Sequence, residues 1–465
     1  MTFNSLPFFA LFVITYLLVK VLQTNEIKLW VLLIASYVFY SYWDVRFLLL
    51  MLLMEYVSYL AAIKIELNRK KAKKYLGSSV AFSLFILSLF KYFGFFLQQI
   101  EMLMGKNALH WRIVLPIGIS FYTFQCISYV VDVYRGEIKA RKKFRDVSLY
   151  ISFFPQLVAG PIIRAKDFLP QIDSDLTLTG ENLSEGIQIF LWGLFKKAVV
   201  ADRLAVCVDA VWASPKAYSS LSIWCAAISY SLQILCDFSG YSDMAIGIAR
   251  VFGFCFPLNF DLPYISKSPK EFWKRWHISL SLWLRDYLYI PLGGNRKGNI
   301  RTYLNLLVTM LLGGLWHGAN WTFIIWGVVH GIALVLNRLF GKTKNDSLKS
   351  NYVSRLKNII KIFLTNLFVL LCWILFRSES LSDAGVVIQR MFVPSRGINY
   401  VFTWSVLFFV GSVAFYFWAY KNGGHIEYKF IDSSKTIDLY CFFLLVALIM
   451  VFGYLGSNAF IYFQF

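Results

Sequence analysis

Charge is what this sequence has least of. Asp, Glu, Lys and Arg make up 15% of its 465 residues, where a soluble domain carries about a quarter. Cysteine offers no framework either. The seven cysteines (126, 207, 225, 236, 255, 372 and 441) are odd in number, lack paired spacing and sit in apolar stretches, which excludes a disulfide scaffold and a thiolate metal site. Histidine occurs five times, at 110, 277, 317, 330 and 425, without forming a ligand cluster, so no metal and no tightly bound cofactor are expected. No internal repeat, low-complexity tract or long linker interrupts the chain, and a single domain over 1–465 is expected. The opening "MTFNSLPFF" has no basic region and no A-x-A-like site after the apolar run, so that run is expected to stay as a span and not to be cleaved as a signal peptide.

What the chain has instead is apolar surface. Hydrophobic residues make up 58% of it, and the mean hydropathy is +0.59. They come in blocks such as "LPFFALFVITYLLVKVL" (6–22) and "LYCFFLLVALIMVFGYLG" (439–456). Blocks of that length read as membrane spans, and in lipid they read as helices. Spans are expected near 6–22, 28–43, 46–63, 76–99 and 113–133, and again near 362–376, 401–420 and 437–457. The fold class is therefore an all-α polytopic membrane protein, with roughly 11–13 spanning or re-entrant helices.

The formal charge is +20, from 46 Lys and Arg against 26 Asp and Glu. In a soluble chain that excess would suggest nucleic acid. Here it lies in short loops: six basic residues and one acidic in 64–74, six and two in 134–146, seven and one in 338–361. This is the positive-inside pattern, so those loops are expected in the cytoplasm and both termini outside. No nucleic-acid partner is expected; membrane lipid is. Between 147 and 302 the parity of crossings stays open. "VSLYISFFPQLVAGPII" (147–163) is broken by Pro155, Gly160 and Pro161 and reads as re-entrant. The run 183–213 carries Lys196, Lys197, Asp202 and Arg203, which implies burial against protein or a place in the interface.

Three polar clusters lie within apolar sequence. His317 stands in "TMLLGGLWHGANWTFIIWGVVHG" (309–331), flanked by Gly313, Gly314 and Gly318. An ionisable group at membrane depth is a functional candidate by default, against the alternative of a packing histidine. His330 lies 13 residues on, about 140° round a regular helix, and would share a face with His317 only if the helix breaks. "SKSPKEFWKRWHISLSLWLRDYLYIPLGGNRKGN" (266–299) mixes basic residues with tryptophans around His277, and reads equally as an interfacial segment. "YSLQILCDFSGYSDMAIG" (230–247) sets Asp237 and Asp243 on either side of a Ser-Gly-Tyr-Ser turn, where they could relay protons or tie broken helices.

In this order, "CDFSGYSDMAIG", "EFWKRWHISLSLWLRDYLYIPLGG" and "LLGGLWHGANWTFIIWGVVHG" resemble the membrane-bound O-acyltransferase family. "LPIGISFYTFQCISYVVDVYRG" (115–136) and "FFPQLVAGPIIR" (153–164) are similar to its bacterial branch of alginate and peptidoglycan O-acetylation membrane proteins, and more distantly to the D-alanine export protein of teichoic acid modification. The resemblance spans most of the chain and is densest over 115–331. It implies a core reached by an acyl thioester from the cytoplasm and by an acceptor hydroxyl from outside. It implies that His317 is the catalytic histidine and His277 the second polar position. Beside His277, the cations Lys274 and Arg275 are expected to meet an anionic donor, acetyl-CoA or another acyl thioester, with Trp276 and Asn320 as further donor-binding candidates, and Asp237 and Asp243 are core polar groups. An extracytoplasmic acyltransferase partner is implied as well, since the chain has no large external domain.

The chemistry agrees with that assignment. An alcohol needs a base to attack at neutral pH, and imidazole, with an unperturbed pKa of about 6.5, suits the task. Trp316, Trp321 and the glycines are expected to keep water from the thioester. Alternatives are D-alanyl transfer from a carrier protein and a transporter of acyl donors without chemistry. The chain ends on "FIYFQF" (460–465). This is either an aromatic belt or, by resemblance to the short aromatic tails of the cell-surface branch, a carrier in which Tyr462 holds the acyl group.

Overall fold

The structure, a computed structural model, describes residues 1–104, 113–158, 160–341, 352–425, 428 and 435–454. It is helical, with no β-sheet among the described residues. Five helices are long and apolar enough to cross a membrane: Val45–Leu67, Ser220–Val251, Trp321–Phe340, Arg355–Arg377 and Thr403–Lys421. Leu6–Val21 and Thr436–Phe452 are shorter apolar helices. The chain is thus an all-α polytopic membrane protein. The span expected over 76–99 is not straight: Arg69–Lys91 and Phe93–Glu101 meet at 56°.

The chain packs as two compact units, Met1–Leu191 with Tyr241–Pro257, and Trp192–Gly240 with Leu258–Phe465. In the first, the broken segment expected around 147–163 is two short helices, Phe144–Ser152 and Phe154–Leu157. Phe153 and Phe154 are wholly buried there, packed on Phe254 and Phe252 respectively at ring distances of 4.8 and 5.9 Å. That surrounding protein is what non-helical backbone requires in lipid.

The second unit is organised by a helix hairpin. Its histidine helix runs Gly298–His317 and its return helix Trp321–Phe340. Glycines bring the two backbones together. A Cβ on Gly314 would lie 3.0 Å from the Gly327 Cα, with Phe323 O closer still, and one on Gly331 would lie 3.2 Å from the Leu307 Cα. Gly327 and Gly331 thus use the small-xxx-small spacing that lets membrane helices touch along their backbones. Tyr352–Arg377 packs on the return helix as a cover.

The Ser-Gly-Tyr-Ser turn expected between Asp237 and Asp243 does not form. Helix Ser220–Val251 runs through it unbroken. Gly240 serves packing instead, since a Cβ there would meet Gly193 O at 2.7 Å. Of the charges in 183–213, Lys197 and Asp202 are buried as expected, whereas Lys196 and Arg203 are half-buried. A π-helical stretch, Phe195–Ala201, carries Lys197, whose Nζ pairs with Asp202 at 2.8 Å and Asp237 at 2.5 Å. A buried ammonium between two carboxylates is a group whose partners cannot be removed cheaply. The same stretch receives the end of the last helix, Thr436–Phe452: Tyr454 N donates to Ala198 O at 2.9 Å.

Candidate functional site

His317 is the last residue of its helix, and Gly318 after it is extended. The next helix starts at Trp321, N-capped by Asn320, whose Oδ1 accepts from Thr322 N at 3.1 Å. The helix therefore breaks between the two histidines, and His330 does reach the same aromatic cluster. The Trp326 ring stands 5.0 Å from His317 and 4.6 Å from His330. Around His317 stand Trp316 at 4.9 Å and Phe376 of the cover helix at 5.2 Å. The imidazole is only 4% exposed.

His330 is held differently. Its Nδ1 accepts from Trp273 Nε1 at 3.3 Å, so a neutral ring carries its proton on Nε2. Aromatic rings surround it, among them Trp273, Trp326 and Phe368 at 5.2, 4.6 and 5.3 Å. That is a packing histidine.

His277 is fully buried. It joins two short helices, Pro269–Arg275 and Ile278–Leu284, in the left-handed region at φ 42°. That backbone is uncommon outside glycine and costs energy that the surroundings must supply. Its Nδ1 lies 3.2 Å from Asn259 Oδ1. Phe238 closes one side edge-on at 4.6 Å. Trp316 lies 6.2 Å from the His277 ring and directly against His317, so the structure brings the two expected histidines to one tryptophan.

The other expected residues are distributed unevenly. Trp276 is buried, stacked on Phe272 at 5.6 Å and tilted onto Trp373 at 4.7 Å. Lys274 is exposed. Arg275 is committed to Asp261 and Glu271, both at 3.2 Å, and donates to Gly424 O at 2.7 Å. Asn320, besides capping, donates to Glu379 O at 2.8 Å. Asp237 belongs to the Lys197 ion-pair group, and Asp243 is buried in the first unit. Tyr462 lies outside the described residues. Trp321, the N-terminal residue of the return helix, is 48% exposed. The cover is Trp326, Phe376 and Trp316, of which only Trp316 was legible from its place beside the histidine. Asn259 was missed as well; nothing in "FPLNFDLPY" marks it except a polar side chain in an apolar run. Among the described residues no group of three His, Cys, Asp or Glu side chains could hold a metal ion.

Known proteins bear on this arrangement. The sequence model described as the membrane-bound O-acyltransferase family matches residues 32–374. The chain is 43% identical to a Pseudomonas putida protein named "Probable alginate O-acetylase AlgI", over 84% of this chain and 80% of that one. It is 37% identical to the peptidoglycan O-acetyltransferase of Helicobacter pylori, over 80% and 75%. A teichoic acid D-alanyltransferase of Streptococcus thermophilus is 29% identical over 56% and 68%.

Proposed function

Because the chain belongs to the membrane-bound O-acyltransferase family, we propose that it moves an acetyl group from cytoplasmic acetyl-CoA across the bacterial inner membrane, for O-acetylation of an envelope polysaccharide or peptidoglycan. The observation that carries this reading is His317, an imidazole at a helix break, walled by Trp316, Trp326 and Phe376. A base so placed takes the proton of an acceptor hydroxyl as its oxygen attacks the thioester carbonyl. The carbon–sulfur bond breaks, and the proton passes from the imidazolium to the departing thiolate. Aromatic walls keep out the water that would otherwise take the acetyl group. The names of the relatives, two O-acetylating proteins ahead of a D-alanyl one, favour acetyl over D-alanyl.

The charge of the basic loops supports a cytoplasmic donor side with both termini outside. Lys274, exposed beside Trp276 and His277, is the cation open to the phosphates of coenzyme A; Arg275 shapes the loop through its ion pairs. Purified protein in vesicles, given acetyl-CoA on one side, tests the reading. Acetyl transfer should depend on the native protein and be absent with D-alanyl carrier protein as donor. Lys274→Ala should raise the acetyl-CoA concentration needed for half-maximal rate several-fold with little loss of maximal rate. Transfer from the D-alanyl carrier alone would overturn the acetyl assignment.

Tyr462 is the proposed first acceptor. It lies eight residues past Tyr454, which is hydrogen-bonded to Ala198, and eight residues reach at most about 26–29 Å. His317 would take the phenol proton, whose unperturbed pKa is about 10. The acetyl-tyrosyl ester would then pass its acetyl group to the nucleophile of an extracytoplasmic partner and recover its hydroxyl. Tyr462→Phe keeps the ring and removes the oxygen. The expected result is loss of polymer acetylation at normal protein level, read by mass spectrometry of surface glycans. Wild-type acetylation in that variant would leave the tail as an anchor only.

A further inference from the structure

His277 has two ring nitrogens, and the structure treats them oppositely. Nδ1 faces Asn259 Oδ1 at 3.2 Å. Nε2 is buried and has no hydrogen-bond partner among the described residues. The orientation of the Asn259 amide is fixed independently of the histidine. Its Oδ1 accepts from Ser279 N at 3.2 Å and from Ser279 Oγ at 2.8 Å. An oxygen that receives those donors is an acceptor toward the imidazole as well, so Nδ1 must carry the hydrogen. The lone pair of the neutral ring then sits on Nε2.

The backbone supports the same geometry. Asn259 O accepts from Ile278 N at 2.9 Å, so one residue ties down the chain on both sides of the left-handed His277. The walls are Phe238, Phe260 and Trp316, at 4.6, 6.2 and 6.2 Å, and His277 forms no ion pair among the described residues. A buried nitrogen lone pair with no donor is a cost unless something else uses it. His330 is the contrast: its Nδ1 is the acceptor, toward Trp273, and its proton lies on the other nitrogen.

We infer that Asn259 is the positioning residue of His277: its side-chain carbonyl holds the imidazole as the Nδ1–H tautomer and leaves Nε2 as a proton acceptor for a substrate hydroxyl or a thiol. The inference deepens the acyl-transfer reading and rests on it for its rate measurements, whereas the tautomer itself can be read without activity.

The first arm is therefore spectroscopic. Protein with ¹⁵N-labelled histidine is placed in bilayers, and the His277 resonances are identified by their loss in His277→Asn. Native protein should show a protonated Nδ1 and a bare Nε2. Asn259→Ala should lose that preference, and Asn259→Asp should keep it. A native His277 protonated on Nε2 overturns the inference, whatever the enzyme does.

The second arm is kinetic. Asn259→Ala should slow transfer about tenfold or more, as loss of an orienting partner does elsewhere. In a His277→Gln background the same substitution should change the residual rate less than about threefold, because the residue acts through His277. An equal loss in both backgrounds would mark Asn259 as purely structural and overturn the role. Asn259→Asp should recover much of the rate and move the acid limb of the pH–rate profile upward. A carboxylate favours the imidazolium, and the ring must then lose its proton at higher pH to serve as acceptor. If Asn259→Ala does not accumulate as folded protein, the native spectrum and the Asn259→Asp profile decide the matter. An unmoved profile at full rate in Asn259→Asp counts against the inference.

Discussion

His317→Ala is expected to abolish acyl transfer while the protein still folds and inserts. Losing a general base costs about 10²–10⁴-fold in rate. The imidazole packs against the rings of Trp316, Trp326 and Phe376 at 4.9 to 5.2 Å, so truncation removes packing as well as the base. His317→Gln separates the two effects. It keeps most of the volume and a polar end, and it should be as inactive as the alanine variant while closer to native in thermal stability. Transfer rates per folded molecule provide the check. Near-normal surface acylation in either variant at equal protein level would remove His317 from the role of base.

The second large effect is on stability. Gly314→Val should cost the protein its folded state or most of its yield. A Cβ at this position runs into Phe323 O and lies 3.0 Å from the Gly327 Cα. Backbone cannot rotate away as a side chain can, so the histidine helix and its return helix must separate. Overpacking of a tight contact costs typically about 1–3 kcal/mol, and more where nothing can yield. Gly411→Val is the matched control. It sits in Thr403–Lys421, and nothing lies within 4 Å of a Cβ there. Thermal unfolding in detergent should show Gly411→Val close to native and Gly314→Val far below it. Equal stability of the two would mean that the helices are not held by that contact.

Sequence reasoning reached the features that sit in long, ordered motifs. His317 was singled out as a candidate because it breaks an apolar pattern at membrane depth, as were Gly314 beside it and the Lys197 and Asp202 pair, whereas His277 was singled out only by the family resemblance of its segment. Three things were not legible. The helix break at Gly318 was conditional in the sequence, since a histidine–glycine–alanine–asparagine run is compatible with continued helix; Asn320 as N-cap decides it. The turn expected at Ser239–Ser242 failed for the opposite reason. Gly240 there answers to the backbone of Gly193, and a close approach and a turn use the same residue type. Trp373 and Phe376, finally, come from a helix that reads as plain apolar sequence, and Asn259 from a loop without a motif. Their place near the histidines is set by tertiary packing, which leaves no local pattern.

The glycine contacts between the histidine helix and its return helix also decide what can move. Two backbones touching at Gly314 and Gly327 cannot slide without collision, so His317 rides on a stiff mount. Phe376, by contrast, reaches it from a separate helix, ring against ring. A side chain can change rotamer without moving the backbone that carries it. On the proposed function, a substrate would reach the imidazole by displacing aromatic side chains such as Phe376, while the backbone that carries His317 stays in place.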